Sequence, residues 1–263
     1  MPRFLLRIAY DGTAYAGWQR QENGPSVQAA LERALSPLAG REVVVAGAGR
    51  TDAGVHAAGQ AAHVDLPSGI DPSVVVRACN TRLPADIRVR SAAIVPDDFH
   101  ARFSALSKTY RYGWLVSRVG HPLLARTHWL VPPPLNLPEM GQAAARVKGT
   151  HDFAAFQSSG SPVSTSVRTI HDVEFGARAA ADLGLHLTAQ ESVVELQLRG
   201  DGFLRHMVRA IAGTLLDVGY GRRQAAELDR LLCGAGRAEA GPTAPPHGLT
   251  LLHVEYPDLS PDA

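Results

Sequence analysis

Lysine is almost missing from this chain. Of 26 basic residues only Lys108 and Lys148 are lysines, and the other 24 are arginines. A coding bias toward arginine accounts for most of that imbalance, although guanidinium forks also suit phosphate recognition better than ammonium groups do. Net charge is scarce as well: +1 over 263 residues neither demands nor excludes a nucleic-acid partner. Cysteine is rare. Cys79 and Cys233 stand far apart and in no C-x-x-C pair, so two buried thiols are expected rather than a disulfide. No apolar run approaches the ~20 residues of a membrane span. The start, Met1-Pro2-Arg3-Phe4-Leu5-Leu6, runs into the turn Ala9-Tyr10-Asp11-Gly12 with no signal-peptide pattern, and a cytoplasmic protein is expected. Histidines do not cluster: His56 and His63 are seven apart and no H-E-x-x-H or Cys/His set exists, so no metal is expected. Lone histidines such as His151 and His206 read as hydrogen-bonded structural residues.

What is present is a balance of 45% apolar and 19% charged residues, enough for a sizeable core and for one large or two small domains. Short strands alternate with helices. Phe4 to Tyr10 alternates as a strand does, and Ser26 caps a helix over Val27 to Leu38 with Val27, Ala30, Leu31, Ala34 and Leu35 on one face. Strands are expected at Glu42 to Ala46, Gln60 to Leu66, Ile87 to Val95 and Thr109 to Val116, with a helix from Asp71 to about Cys79. The four prolines within Val131 to Pro138 exclude regular structure there. Helices follow from about Pro138 to Val147, Phe203 to Val218 and Gln224 to Leu232. Strands follow at Val167 to Phe175, Val193 to Arg199 and Leu249 to Glu255, and Ala177 to Gly184 reads as a loop or hairpin tip. The pattern predicts two similar halves of α/β or α+β type, 1–105 and 106–263.

One stretch carries chemistry: Ala46-Gly47-Ala48-Gly49-Arg50-Thr51-Asp52-Ala53-Gly54-Val55-His56-Ala57. Its glycines make the backbone turn tightly or approach something closely. A dinucleotide fingerprint from Gly47 would need glycine where Asp52 stands, and that carboxylate would repel a pyrophosphate. A phosphate loop from Gly49 to Gly54 would need lysine next, but Val55 and His56 follow. A carboxylate on a glycine-rich loop remains. In an extended segment Arg50 and Asp52 lie on one face, where a guanidinium favours the charged, nucleophilic carboxylate. On composition alone a turn aspartate held by backbone amides is the commoner outcome.

The wider sequence changes that balance. It contains Tyr10-Asp11-Gly12-Thr13-Ala14-Tyr15-Ala16-Gly17-Trp18-Gln19-Arg20-Gln21, then Gly49-Arg50-Thr51-Asp52-Ala53-Gly54-Val55-His56 and Gly59-Gln60. Leu83-Pro84-Ala85-Asp86-Ile87, Phe99-His100-Ala101-Arg102-Phe103-Ser104-Ala105 and Lys108-Thr109-Tyr110-Arg111-Tyr112 follow. The second half adds His151-Asp152-Phe153, Phe203-Leu204-Arg205-His206-Met207-Val208-Arg209 and Ala244-Pro245-Pro246-His247-Gly248-Leu249-Thr250-Leu251. Through these blocks the chain resembles the tRNA pseudouridine synthase A family nearly end to end.

The resemblance implies an isomerase that converts uridine to pseudouridine at positions 38, 39 and 40 in the anticodon stem-loop of tRNA. It implies no cofactor, since the N1–C1′ bond is broken and the base rejoined through C5 without redox change. By similarity Asp52 is the nucleophile, toward C1′ of the sugar or C6 of the base. Tyr110 is the active-site tyrosine, able to stack on uracil and to move a proton. Tyr112, on the same face of that strand, keeps open the reading of one more strand aromatic. Arg209 is the basic residue matched to the aspartate. Four residues apart on the expected helix, Arg205 and Arg209 share a face, one for Asp52 and the other for RNA. Arg50 enters the stack that the target base leaves, since the base must be extruded. Arg20, Arg102, Lys108 and Arg111 are candidates for phosphate contacts. The implied fold is α+β, with the antiparallel sheets of two halves joined into one mixed sheet, helices on one side and a basic RNA cleft on the other. A homodimer is implied, with Trp18, Trp114 and Trp129 as interface candidates. The Ala177 to Gln190 segment is longer and more apolar than the family pattern suggests. The rivals are a non-catalytic RNA-binding protein on the same scaffold, a family member acting on another RNA, and a hydrolase pairing Asp52 with Asp97 or Asp98.

Overall fold

The structure, a computed structural model, describes the chain except residues 23, 159, 161–163, 180–183, 189, 190 and 258–263. Its first elements are β1 (Arg3–Tyr10), α1 (Val27–Ala39), β2 (Ala46–Gly47), β3 (His56–Asp65), α2 (Pro72–Arg82) and β4 (Ile87–Val95). Then come β5 (Ser107–Val116), β6 (Trp129–Val131), α3 (Leu137–Arg146), β7 (Gly149–Asp152) and β8 (Val167–Arg178). The last are β9 (Ser192–Gly200), α4 (Met207–Gly219), α5 (Glu227–Leu231) and β10 (Leu249–Glu255). The fold is α+β with mixed strand pairing, as expected.

The chain forms two compact units, one of Met1–Lys108 with the C-terminal segment from Thr250, the other of Thr109–Leu249. In the first, β1 lies between β3 and β4, antiparallel to both, with Arg3 opposite Asp65 and Val95. β2 pairs antiparallel with β3, and β10 runs parallel to β3 with Thr250 opposite His56. Helix α1 begins where Ser26 Oγ accepts from Ala29 N, a cap worth about 1 kcal/mol. It ends at Gly40 in the left-handed region, and its apolar face (Val27, Ala30, Leu31, Ala34, Leu35) is buried. In the second unit β8 lies between β7 and β9, antiparallel to both, and β6 runs parallel to β5 with Trp114 opposite Trp129.

Several expectations need correction. Of the strand expected over Glu42 to Ala46 only Ala46 is one, as the start of β2: Val45 O accepts from Gln28 Nε2 and Val45 N donates to Glu32 Oε1, so side chains of α1 take the backbone groups before it. Helix α4 begins at Met207, not Phe203, because His206 sits at φ +63° and Ser158 N is bonded to Arg205 O. The last expected helix shrinks to α5. Cys79 is buried, but Cys233 is exposed. Trp18 and Trp114 are buried within the chain, which leaves only the half-buried Trp129 for any subunit interface. Of the Ala177 to Gln190 segment, Ala177 and Arg178 extend β8, while residues 180–183, 189 and 190 lie outside the described residues.

Two buried histidines make the fold acid-sensitive. His63 Nδ1 accepts from Ala101 N at 3.1 Å, and burial, helped by Arg3 and His100, pushes its imidazole down to about 4. Burial, then Arg111, does the same to His128. The unfolded chain takes up these protons near pH 6.5 and the folded one resists them. Stability is therefore full above about pH 6.5 and is lost as pH falls toward about 4. Melts across that window should show the wild-type midpoint falling, and that of His63→Gln falling less; equal slopes would exclude His63 as a source.

Candidate active site

Asp52 lies in the first unit, on the segment joining β2 to β3, and its neighbours fix that segment almost residue by residue. Lys108 Nζ donates to Ala48 O at 2.7 Å and Gln60 Nε2 to Gly49 O at 2.9 Å. Trp18 N donates to Thr51 O at 3.0 Å, while the Thr51 and Tyr10 hydroxyls share a buried hydrogen bond of 2.8 Å. Gly54 N reaches Tyr15 O, Val55 N closes a turn onto Asp52 O, and Asp52 forms a β-bridge with Gly17. Asp52 is half-buried, with Arg50 exposed and Thr51 buried between them, the alternation of an extended segment. Arg50 Nε donates to Gln19 Oε1 at 3.1 Å.

Two glycines let residues 10–18 press onto this segment. A Cβ on Gly12 would stand 2.0 Å from Val55 O, and one on Gly17, at φ +114°, 2.6 Å from Thr51 O. Gly12 N also donates to His56 Nδ1 at 3.1 Å. His56 is thereby a bracing residue. No group of three or more His, Cys, Asp or Glu among the described residues is placed to hold a metal ion.

The structure puts Lys108 against the backbone of the Asp52 segment, not on an open surface. Its Nζ lies where a Cβ on Gly49 would come within 3.3 Å. Burial, and secondarily Arg102, pushes its pKa down to about 8. Arg20 is exposed, with Glu32 at 3.4 Å. Asp97 and Asp98 occupy the turn closed by Phe99 N and Pro96 O, and their charges act on Arg3.

The other named residues belong to the second unit. The Tyr110 ring is buried on β5, edge-on to Phe203 with centroids 4.9 Å apart. Tyr112, on the same face, is fully committed elsewhere. Its hydroxyl donates to Pro245 O at 2.9 Å, its ring abuts Gly248, and burial raises its pKa. Arg209, on α4, donates from Nε to Ala244 O at 2.8 Å and accepts Ala244 N on its own carbonyl. Arg205 is exposed in the turn before α4, so the expected shared helical face with Arg209 does not exist. Arg111 Nη1 lies 3.2 Å from the buried carboxylate of Glu195, which Arg178 also holds, so it is an internal ion-pair partner.

Sequence reasoning found Asp52 and Arg50 but gave no role to Tyr10, Gly12, Gly17 or Gln60. Their signal was present, since all four stand in the quoted blocks around Tyr10-Asp11-Gly12 and Gly59-Gln60.

The comparisons with known proteins agree with one another. A family model described as tRNA pseudouridine synthase matches residues 7–104 and 143–257. The chain is 45% identical over 251 residues to a protein of Syntrophotalea carbinolica named tRNA pseudouridine synthase A, covering 95% of each. A protein of the same name from Myxococcus xanthus is 45% identical, over 99% of this chain and 94% of its own. Another from Acetivibrio thermocellus is 43% identical, over 97% of this chain and all of its own. With the Asp52 segment braced as described and a match along nearly its whole length, the chain belongs to the tRNA pseudouridine synthase family.

Proposed function

We propose that this protein isomerises uridine to pseudouridine at positions 38, 39 and 40 in the anticodon stem-loop of tRNA, with Asp52 as nucleophile. The observation that carries the proposal is the bracing of the Asp52 segment. A carboxylate on a segment tied by Lys108 at Ala48 O, Gln60 at Gly49 O, Trp18 at Thr51 O and Tyr10 at the Thr51 hydroxyl is preorganised for attack on a bound substrate. RNA binding alone has no use for such a constraint. Tyr110 supplies a ring for the uracil and a hydroxyl for proton transfer, Arg209 pairs with the reacting carboxylate, and Arg50 and Arg205, both exposed, meet the RNA. The enzyme works without a cofactor, as a cytoplasmic homodimer.

Carbodiimide-adduct primer extension on unmodified tRNA, before and after incubation with the protein, tests the reading. New stops one nucleotide 3′ of positions 38, 39 and 40 are expected, where extension halts before the adduct. Stops confined to other positions would assign a different substrate, and no stops would end the proposal.

Lys108, first read as a phosphate contact, is in this account also a clamp on Ala48 O. Lys108→Met is then expected to lower kcat roughly 100-fold, the scale of a 1 Å misplacement at a reacting group. The KM for tRNA and its salt dependence should change little. A raised KM with kcat intact and a shallower salt slope would restore the phosphate-contact role.

A further inference from the structure

The turn after β4 carries a feature that the proposed chemistry leaves unused. Phe103 is 75% exposed and is the one aromatic among the large exposed apolar side chains of the described residues. An isolated exposed leucine would mean little, but this ring is supported. His100 lies 4.4 Å from it, centroid to centroid, at 37°, and the Arg102 guanidinium carbon lies 5.5 Å from the ring centre. His100 in turn packs edge-on against buried His63 at 4.7 Å. The column of His63, His100 and Phe103 thus rises from the core and ends in an open aromatic face.

The backbone beneath is fixed on every side. Ser104 N donates to His100 O at 2.8 Å, His100 N to Ser104 Oγ at 3.0 Å, and Arg102 N to His100 Nδ1 at 3.1 Å. Arg3 holds Phe99 O, and the Tyr256 hydroxyl holds Ala101 O. Little conformational entropy remains to be lost when something docks there. Arg102 is exposed and makes no ion pair among the described residues, while Arg3, the other arginine at this turn, is paired with Asp65. The charge of Arg102 is felt at Lys108, whose ammonium grips the Asp52 segment, so this turn neighbours that segment within the same unit.

We propose that Phe103 is a stacking platform for an unpaired base of the RNA substrate, with Arg102 holding the adjoining phosphate. The inference rests on the tRNA reading and extends it to a second point of contact. The chemistry is complementary: every base offers a π-face, so stacking tolerates any sequence, and the phosphate beside it needs one cation. An enzyme that opens a stem-loop leaves bases without stacking partners, and a rigid ring offsets part of that loss. A purely apolar protein partner would gain nothing from the guanidinium.

Filter binding and steady-state kinetics on the full-length protein decide it. Phe103→Ala and Phe103→Leu should each raise the KM and Kd for tRNA about tenfold with kcat nearly unchanged, whereas Phe103→Trp should match wild type. The salt slope should stay that of wild type in the Phe103 variants and drop by about one in Arg102→Ala. An unchanged melting midpoint is expected of an exposed site. Wild-type binding by Phe103→Leu would overturn the proposal, because bulk without a π-face would then suffice. So would an unaltered Kd in Phe103→Ala, or a change in its sedimentation mass, which would assign the ring to a protein interface. If wild type binds and isomerises tRNA while these variants are normal, only the platform is lost; if wild type does neither, both readings fall.

Discussion

Asp52→Asn is expected to fold and bind tRNA as wild type does while forming pseudouridine at least about 10⁴-fold more slowly, the scale seen when a nucleophile is removed. An amide nitrogen or oxygen in that place is no nucleophile of comparable strength. The hydrogen bonds that fix the segment run through Ala48, Gly49, Thr51 and Gly54, so asparagine leaves them in place. Asp52→Glu should be similarly inactive, because a rigid segment cannot retreat to accommodate one more methylene. Single-turnover pseudouridine formation gives the rate, filter binding the affinity, and a thermal melt the fold. Activity within tenfold of wild type in Asp52→Asn would mean that another group attacks.

The second large effect is expected at Gly12. Its alanine variant would drive a Cβ to 2.0 Å from Val55 O and 2.6 Å from Val55 C, both backbone atoms that no rotamer change can move. Either residues 10–18 lift from the Asp52 segment or that segment shifts. Both movements disturb the Tyr10–Thr51 and Trp18–Thr51 bonds. A loss of about 3 kcal/mol is expected, at the upper end for overpacking, with kcat down about 100-fold in the protein that still folds. Gly40→Ala is the control. Gly40 has φ +66° with nothing within 4 Å of a Cβ, so alanine there meets only left-handed strain, about 1 kcal/mol, and leaves kcat alone. Urea unfolding and initial rates of both variants check the pair. Equal effects at the two glycines would refute the close-approach argument.

These sites show what the sequence disclosed and where it stopped. Elements governed by local rules were legible: the Ser26 cap, the extents of β4 and β10, and the buried stripe of α1 all follow from neighbouring residues. Errors fell where distant groups decide. Residues 42–45 have strand composition, but Gln28 and Glu32 reach out of α1 and occupy the backbone of Val45. Helix α4 starts late because Ser158, 48 positions before His206, bonds its ring and the Arg205 carbonyl. The short strands β6 and β7 were missed, being too brief for periodicity to register. At the site, motif resemblance marked Asp52, but nothing local distinguishes a phosphate-binding lysine from one buried against Ala48 O. That distinction depends on where the Lys108 ammonium packs within the first unit, against Ala48 O.

The central claim is isomerisation of uridine within tRNA, and tritium release tests it most directly. Moving the glycosidic bond from N1 to C5 expels the hydrogen at C5, while the base stays on its ribose. With [5-³H]uridine-labelled tRNA the account predicts one tritium released to water per pseudouridine formed, and no free uracil. Labelled uracil appearing with abasic sites, or no release by folded protein from tRNA known to carry uridine at positions 38 to 40, would contradict it.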